Sequence, residues 1–351
     1  MFQVKQDVIN WLLEGNTPPI KYLTLTSLLD KDESSAEVQK TKKQIMTYKP
    51  IIEILNNQQE NSFWFDKAKD KNYKKYLGTF WQLIFLSNMH AEKTEQIING
   101  VEHIFNTGQP SNGGFSVSGA NSLSIICLTA NILRSLIHFG FWNDERTRKA
   151  LEYILRNFTD TNGKMRCQPI GLLPDCYMTL PKILYALSAI PKKDRTTRVT
   201  KGIDLCVDRI LENHIYQFLP EKNKEFVKIA FEKKLTGHQR FEAKNEFLKN
   251  NPNMKKIVKH GWTKFGFPLS YTSDALDAMK ALVSAEIKYD PRMKDALDLI
   301  KSKQVNGKWI NEKQYKSPMY TTIEPYQAES KWVTLHALEV LKFYEGLKIV
   351  D

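Results

Sequence analysis

A phrase that returns about every fifty residues constrains this chain more than any other feature. In each copy an amphipathic helical pattern ends, an Asn-Gly-x-aromatic turn follows, and a more apolar helical pattern begins. The clearest copy runs from Ala296 through Leu299 and Ile300 to Gln304, Asn306, Gly307 and Trp309. A second, at 150–165, keeps the helix register and Asn162-Gly163, with Phe158 where Gln304 stands and Met165 where Trp309 stands. Asn112-Gly113-Gly114-Phe115 and Asn61-Ser62-Phe63 are weaker copies. Ile54, Ile104 and Ile154 hold matching helix positions, 50 residues apart each time (104−54 and 154−104). A period of that length means supersecondary units that bury their apolar faces by stacking on one another.

The apolar helical period predicts twelve helices, at 4–14, 20–29, 34–57, 74–89, 92–106, 122–139, 144–158, 176–190, 196–213, 271–286, 291–303 and 329–347. Pro50 marks a break in the third. Amphipathic segments alternate with largely apolar ones. A helix apolar all round must be covered on every side, whereas an amphipathic helix keeps one face in water. Six hairpins with apolar helices inside and amphipathic helices outside satisfy both, so the expected fold is an all-α (α/α)6 toroid. An open solenoid would need polar capping repeats, and the terminal helices here are as apolar as the middle ones.

The repeat spans residues 1–351, which are therefore expected to form one domain. One segment breaks the rhythm. At about 214–262 the chain carries many lysines, the phenylalanines Phe226, Phe231 and Phe241, and the breaker Pro252. Gly202 and Ala296 are equivalent positions 94 residues apart (296−202), nearly twice the unit. This insertion reads either as a lid or partner surface on one rim or as a solvated helical excursion.

Composition narrows the setting. No apolar run is long enough to span a membrane, and the first residues do not read as a secretory signal. Four cysteines make no disulfide framework in a chain of 351 residues, so a reducing cytoplasm is the expected location. The net charge of +12 favours acidic partners such as a diphosphate, an anionic surface or an acidic protein, or serves solubility alone. No nucleic-acid-binding motif accompanies it, which leaves nucleic acid poorly supported.

The Gln304, Gly307 and Trp309 phrase, preceded by Ala296, Leu299 and Ile300, resembles the QW repeat of squalene and oxidosqualene cyclases. The weaker copies resemble the repeat shared with protein prenyltransferase β-subunits. Trp11-Leu12-Leu13-Glu14-Gly15, Lys75-Tyr76-Leu77-Gly78-Thr79, Cys127-Leu128-Thr129-Ala130-Asn131, Phe265-Gly266-Phe267-Pro268 and Ser330-Lys331-Trp332-Val333-Thr334-Leu335 resemble microbial prenyltransferase or squalene-oxidase repeat proteins. The resemblance implies a toroid with an isoprenoid-like ligand. In such a repeat the Gln is expected to bond the next helix and the ring to stack across the junction.

The chemistry of these families carries over only in part. The Asp-x-Asp-Asp acid of the cyclases and the Asp-Asp-x-x-Asp of diphosphate-binding synthases are absent. Prenyltransferase β-subunits hold zinc with Asp-x-Cys and a later His; Asp274 and His336, 62 residues apart (336−274), match that arrangement, but Leu276 stands where the Cys would be. Without a thiolate there is no soft ligand at that point. Asp274 and His336 remain either an acid–base couple facing the cavity or a structural pair.

Zinc has a second candidate shell. Cys127, Cys167 and Cys176 fall where hairpins can converge at one rim, with His214 as fourth ligand and Asp175 as the alternative. Buried free cysteines that act as small hydrophobes are the competing explanation, and Cys206 reads that way. Tyr22, Tyr76, Trp81, Tyr177, Tyr271, Tyr320 and Trp332 fall on or beside the apolar helices, as cavity wall or as core. Lys21, Lys75, Lys182 and Lys331 lie near them and can neutralise a diphosphate.

The expected function is binding or transformation of an isoprenoid or other hydrophobic ligand in a central, mostly apolar cavity. The competing expectation is a non-catalytic scaffold that binds a partner through its basic rim and insertion. A carbohydrate-active toroid is a third option, disfavoured because paired acids on the inner helices are scarce.

Overall fold

Helices account for most of the chain in a computed structural model that describes residues 1–60, 62–65, 72–117, 119, 123–163, 165, 176–218, 233–235, 237–253, 255–269 and 271–351. Strand β1 (Phe2–Lys5) leads into α1 (Gln6–Leu12) and α2 (Pro18–Leu23), which runs on through a π-helical turn at Thr24–Leu28. The outer segment at 34–57 is divided, as Pro50 demands, into α3 (Ala36–Gln44) and α4 (Lys49–Asn56). Proline is tolerated in the first turn of α4 because no helical partner awaits its missing N–H there.

Next come α5 (Thr79–Asn88), α6 (Glu95–Gly108), α7 (Ile126–His138), α8 (Glu145–Ile154), α9 (Thr179–Ser188) and α10 (Thr197–Glu212). Helix α5 starts five residues later than the apolar pattern suggests. Gly78 brings its backbone against Asn72, where a Cβ would sit 2.4 Å from the carbonyl oxygen. The chain turns there before it can coil. Beyond α10 the described part of the insertion holds β2 (Gln217–Phe218), α11 (Gly237–Asn250) and β3 (Ile257–Val258), the strands pairing antiparallel. Helices α12 (Ala275–Ser284), α13 (Lys294–Ser302) and α14 (Lys331–Glu345) and strand β4 (Leu347–Val350) complete the order.

Burial follows the two kinds of helix. Every residue of α5 from Thr79 to Ser87 and of α9 from Thr179 to Leu187 is buried, whereas α6, α10 and α13 bury one stripe each. Helix α5 packs on α7, α7 on α9, α9 on α12, α12 on α14, and α14 on α2. The one-sided helices cover them: α6 lies on α5, α8 on α7, α10 on α9 and α13 on α12. The first and last strands pair parallel, Phe2 opposite Leu347 and Lys5 opposite Val350. Such a pairing has no helical periodicity behind it and was not expected. Among the described residues no helix is long and apolar enough to cross a membrane.

The repeated phrase is a joint. At Asn306-Gly307 both residues adopt positive φ, 53° and 78°, and Val305 and Lys308 exchange backbone hydrogen bonds of 2.8 and 3.0 Å. Asn and Gly accept that left-handed backbone most readily. The turn throws Trp309 inward, where its indole donates to the Ile300 carbonyl at 2.7 Å and its backbone N–H donates to the Thr334 hydroxyl at 2.9 Å. Trp64 repeats the geometry with Ile54 (2.7 Å) and Thr79 (3.1 Å), and the Phe115 N–H donates to Thr129 at 2.8 Å. The residue that ties one unit to the next is therefore a threonine on the following buried helix. Gln304, expected to make that bond, is exposed and makes none among the described residues.

Candidate functional site

Six helices contribute side chains to one cavity of about 260 Å³. Leu23 comes from α2, Asn88 from α5, Asn131 and Arg134 from α7, and Lys182 and Tyr185 from α9. Helix α12 adds Asp277 and Lys280, with Asp274 at its start, and α14 adds Trp332, His336 and Glu339. The lining is charged where the repeat pattern led one to expect grease. Each charge sits on a helix that is otherwise apolar, and burying it is costly unless it finds a partner.

The partners are only partly there. Asp274 is 1% exposed and caps α12, its Oδ1 accepting the Asp277 N–H at 2.8 Å. Its Oδ2 lies 3.2 Å from the Lys313 ammonium but off the line of a hydrogen bond. Asp277 Oδ2 has no hydrogen-bond partner, the Lys182 ammonium being 3.6 Å away. Lys182 instead donates to the Thr272 carbonyl at 2.7 Å and the Ser273 hydroxyl at 2.8 Å. Lys280 and Glu339 pair at 2.7 Å across α12 and α14. Arg134 stacks on the Tyr185 ring at 4.2 Å, and among the described residues its guanidinium makes no hydrogen bond or ion pair.

Burial reorders the usual acidities. It pushes the Asp274 carboxyl up to about 6, against the pull of Lys313. It pushes the His336 imidazolium down to about 4, and the positive charges of Lys280 and Arg134 act in the same direction. His336 is partly exposed, yet desolvation remains the largest influence on its imidazole. The Lys182 ammonium is also lowered by burial, with Asp277 opposing. The Asp274 carboxyl thus holds its proton to higher pH than the His336 imidazole that lines the same cavity.

Of the residues singled out in the sequence, the cavity gathers Asp274, His336, Trp332 and Lys182. Trp332 lies flat on Phe267, with ring centroids 4.2 Å apart and planes at 10°. Tyr76, Trp81 and Tyr271 belong to a separate aromatic cluster: Tyr76 meets Tyr315 edge-on at 4.5 Å, Trp81 lies 5.9 Å from Tyr271, and Lys75 sits over Tyr76 and Tyr271. Tyr177 stacks on Phe218 at 4.1 Å, against the insertion. Lys331 spends its charge on Glu14 at 2.7 Å, joining α14 to the loop after α1.

The thiol shell is brought together in part. Burial pushes the Cys127 thiol up to about 11, and Cys176 lies close enough to act in the same direction. Thiols suit zinc, but two do not complete a tetrahedral set. His214 stands exposed at the end of α10 near Asp290. Among the described residues no three His, Cys, Asp or Glu side chains gather as a metal site. Cys167 and Asp175 lie outside the described residues. Cys206 is fully buried on α10, as its apolar setting predicted.

Sequence reasoning missed Arg134, Asp277, Lys280, Tyr185 and Glu339. For the four charged ones the sign was available: a charged residue inside a largely apolar segment. No family model matches the chain, and no curated protein matches it either.

Proposed function

We propose that this chain is an α/α toroid whose polar central hollow binds a small polar molecule, with the Asp274 carboxylate and the neutral His336 imidazole as hydrogen-bonding groups of its wall. The observation that carries the reading is a single cavity shared by α2, α5, α7, α9, α12 and α14, with carboxyl groups and cations facing each other across it. Closure of the ring is supported by the β1–β4 pairing and by the packing of α14 on α2. Lys331–Glu14 and Lys342–Asp30, at 2.7 and 2.6 Å, reinforce the same seam.

A purely hydrocarbon ligand would strip these charges of water and return no hydrogen bonds, which costs several kcal/mol per group. A polar ligand replaces the lost water. The isoprenoid reading rests on the repeat and on the aromatic cluster of Tyr76, Trp81, Tyr271 and Tyr315, with Lys75 beside it for a diphosphate. Zinc enters through Cys127 and Cys176, and elemental analysis of the purified protein tests it. The scaffold reading needs only the basic surface.

Thermal-shift measurements separate these readings. Stabilisation by small polar compounds that disappears in Asp277→Asn supports the polar hollow. Stabilisation by farnesyl diphosphate alone, unchanged in Asp277→Asn, sinks it and favours the isoprenoid site.

A further inference from the structure

The cavity's cations and carboxyl groups are equal in number but not all paired. Arg134, Lys182 and Lys280 line it with Asp274, Asp277 and Glu339, three cationic groups against three carboxyl groups. Two of these cations have a carboxylate nearby, Lys280 at 2.7 Å and Lys182 at 3.6 Å, and Lys313, outside the lining, lies 3.2 Å from Asp274. Arg134 has none among the described residues. Its charge is felt by His90, His336 and Tyr185, all of which line the same hollow. Stacking on Tyr185 holds the guanidinium plane in place, as a preformed fork for a planar anion.

Three carboxylate oxygens in the same wall, Asp274 Oδ2, Asp277 Oδ2 and Glu339 Oε2, are buried and lack hydrogen bonds, the last with the Lys280 ammonium 2.7 Å away. They call for donors, while Arg134 calls for an anionic acceptor. The Trp332 and Phe267 rings supply an apolar face beside them. A hydroxyl group donates and accepts, and the C–H face of a sugar ring packs against aromatic carbon.

We propose that the ligand is a sugar acid: one ring carrying hydroxyl groups and a single carboxylate, the carboxylate on Arg134 and the hydroxyls on Asp274 and Asp277. This rests on the polar-hollow reading and names its ligand class. One unpaired guanidinium matches one carboxylate, whereas a phosphate brings close to two negative charges at neutral pH. The size agrees: about 260 Å³ is below the usual range for drug-sized ligands, so a single ring fits better than a polyprenyl chain.

Titration calorimetry of the whole protein with glucuronate, galacturonate, glucose, glucose 6-phosphate and glutamate tests the class. At least one uronate is expected to bind tenfold or more tightly than glucose. Arg134→Gln is expected to remove that preference, and Asp277→Asn to weaken uronate at least tenfold. Lys192→Gln, far from the hollow, is the control and leaves binding unchanged. Glucose, glucose 6-phosphate or glutamate binding as well as the uronates overturns the ligand class but leaves the polar hollow standing. No binding by any of the five, with farnesyl diphosphate bound, overturns both. Circular dichroism of each variant separates a lost contact from a lost fold.

Discussion

The joints between repeats and the wall of the cavity are built from the same helices, yet they treat polar groups in opposite ways. At the joints every polar atom that the aromatic residue brings inside is met. The Trp309 indole has Ile300 and its backbone N–H has Thr334; Trp64 and Phe115 follow suit with Thr79 and Thr129. In the cavity wall, Asp274, Asp277 and Arg134 are held by the fold but left short of partners. A satisfied polar group stabilises a structure, and an unsatisfied one costs free energy that a ligand can return. The joints hold the molecule together; under the proposed function, the unmet groups of the cavity are where a ligand binds.

If that contrast is right, damage to a joint is a stability defect and damage to the wall is not. Trp309→Ala, which empties a fully buried site, is expected to cost about 3–5 kcal/mol in chemical denaturation. A loss below about 1 kcal/mol would show that the joint is not the structural element described here. Asp274→Asn is expected to do the reverse. Its folded-state pKa of about 6 lies above the ordinary 3.8, so the folded protein holds this proton more tightly than the unfolded chain. Stability from this group is complete below about pH 4 and is lost as the pH climbs through 6. Asparagine still caps the helix, so the variant should be more stable than the parent by about 3 kcal/mol at pH 8. That gain should vanish toward pH 4, while ligand binding is lost.

His336 gives the opposite slope. Its pKa of about 4 lies below the ordinary 6.5, so the unfolded chain takes up the proton first and stability rises with pH across that window. His336→Gln should remove that rise, and a denaturation series from pH 4 to pH 7 reads it directly. Thr129→Val leaves the Phe115 N–H without its acceptor and should cost about 1–2 kcal/mol. Smallest of all, Lys192→Ala breaks only the exposed pair with Glu286, 2.8 Å apart, and should leave the denaturation midpoint unmoved.

Much of the helical order was legible in the chain itself. The apolar period predicted the buried and one-sided helices in sequence, and Pro50 marked the division between α3 and α4. The Asn-Gly turns declared themselves because few other residue pairs accept two successive positive φ angles. What the motif does was harder to see. Gln304 drew attention as a conspicuous polar residue, while the threonine that bonds across the joint looks like any other helix residue. The strand pairing of the two ends was also hidden, since four residues at each terminus carry too little pattern.

By itself, then, the amino-acid order determined which segments coil, which of them must be covered and where the chain turns, because those are local properties with a short period. Tertiary structure alone decided the character of the hollow. Leu23 and Glu339 lie 316 positions apart (339−23) and yet line the same cavity. Whether the centre is greasy or charged depends on which one or two residues of each buried helix point inward at a common height. A hydrophobic average over the helix cannot register a single Arg134, Lys182 or Asp277. Only when six helices stand side by side do those isolated charges become neighbours, and their unmet hydrogen bonds become a site.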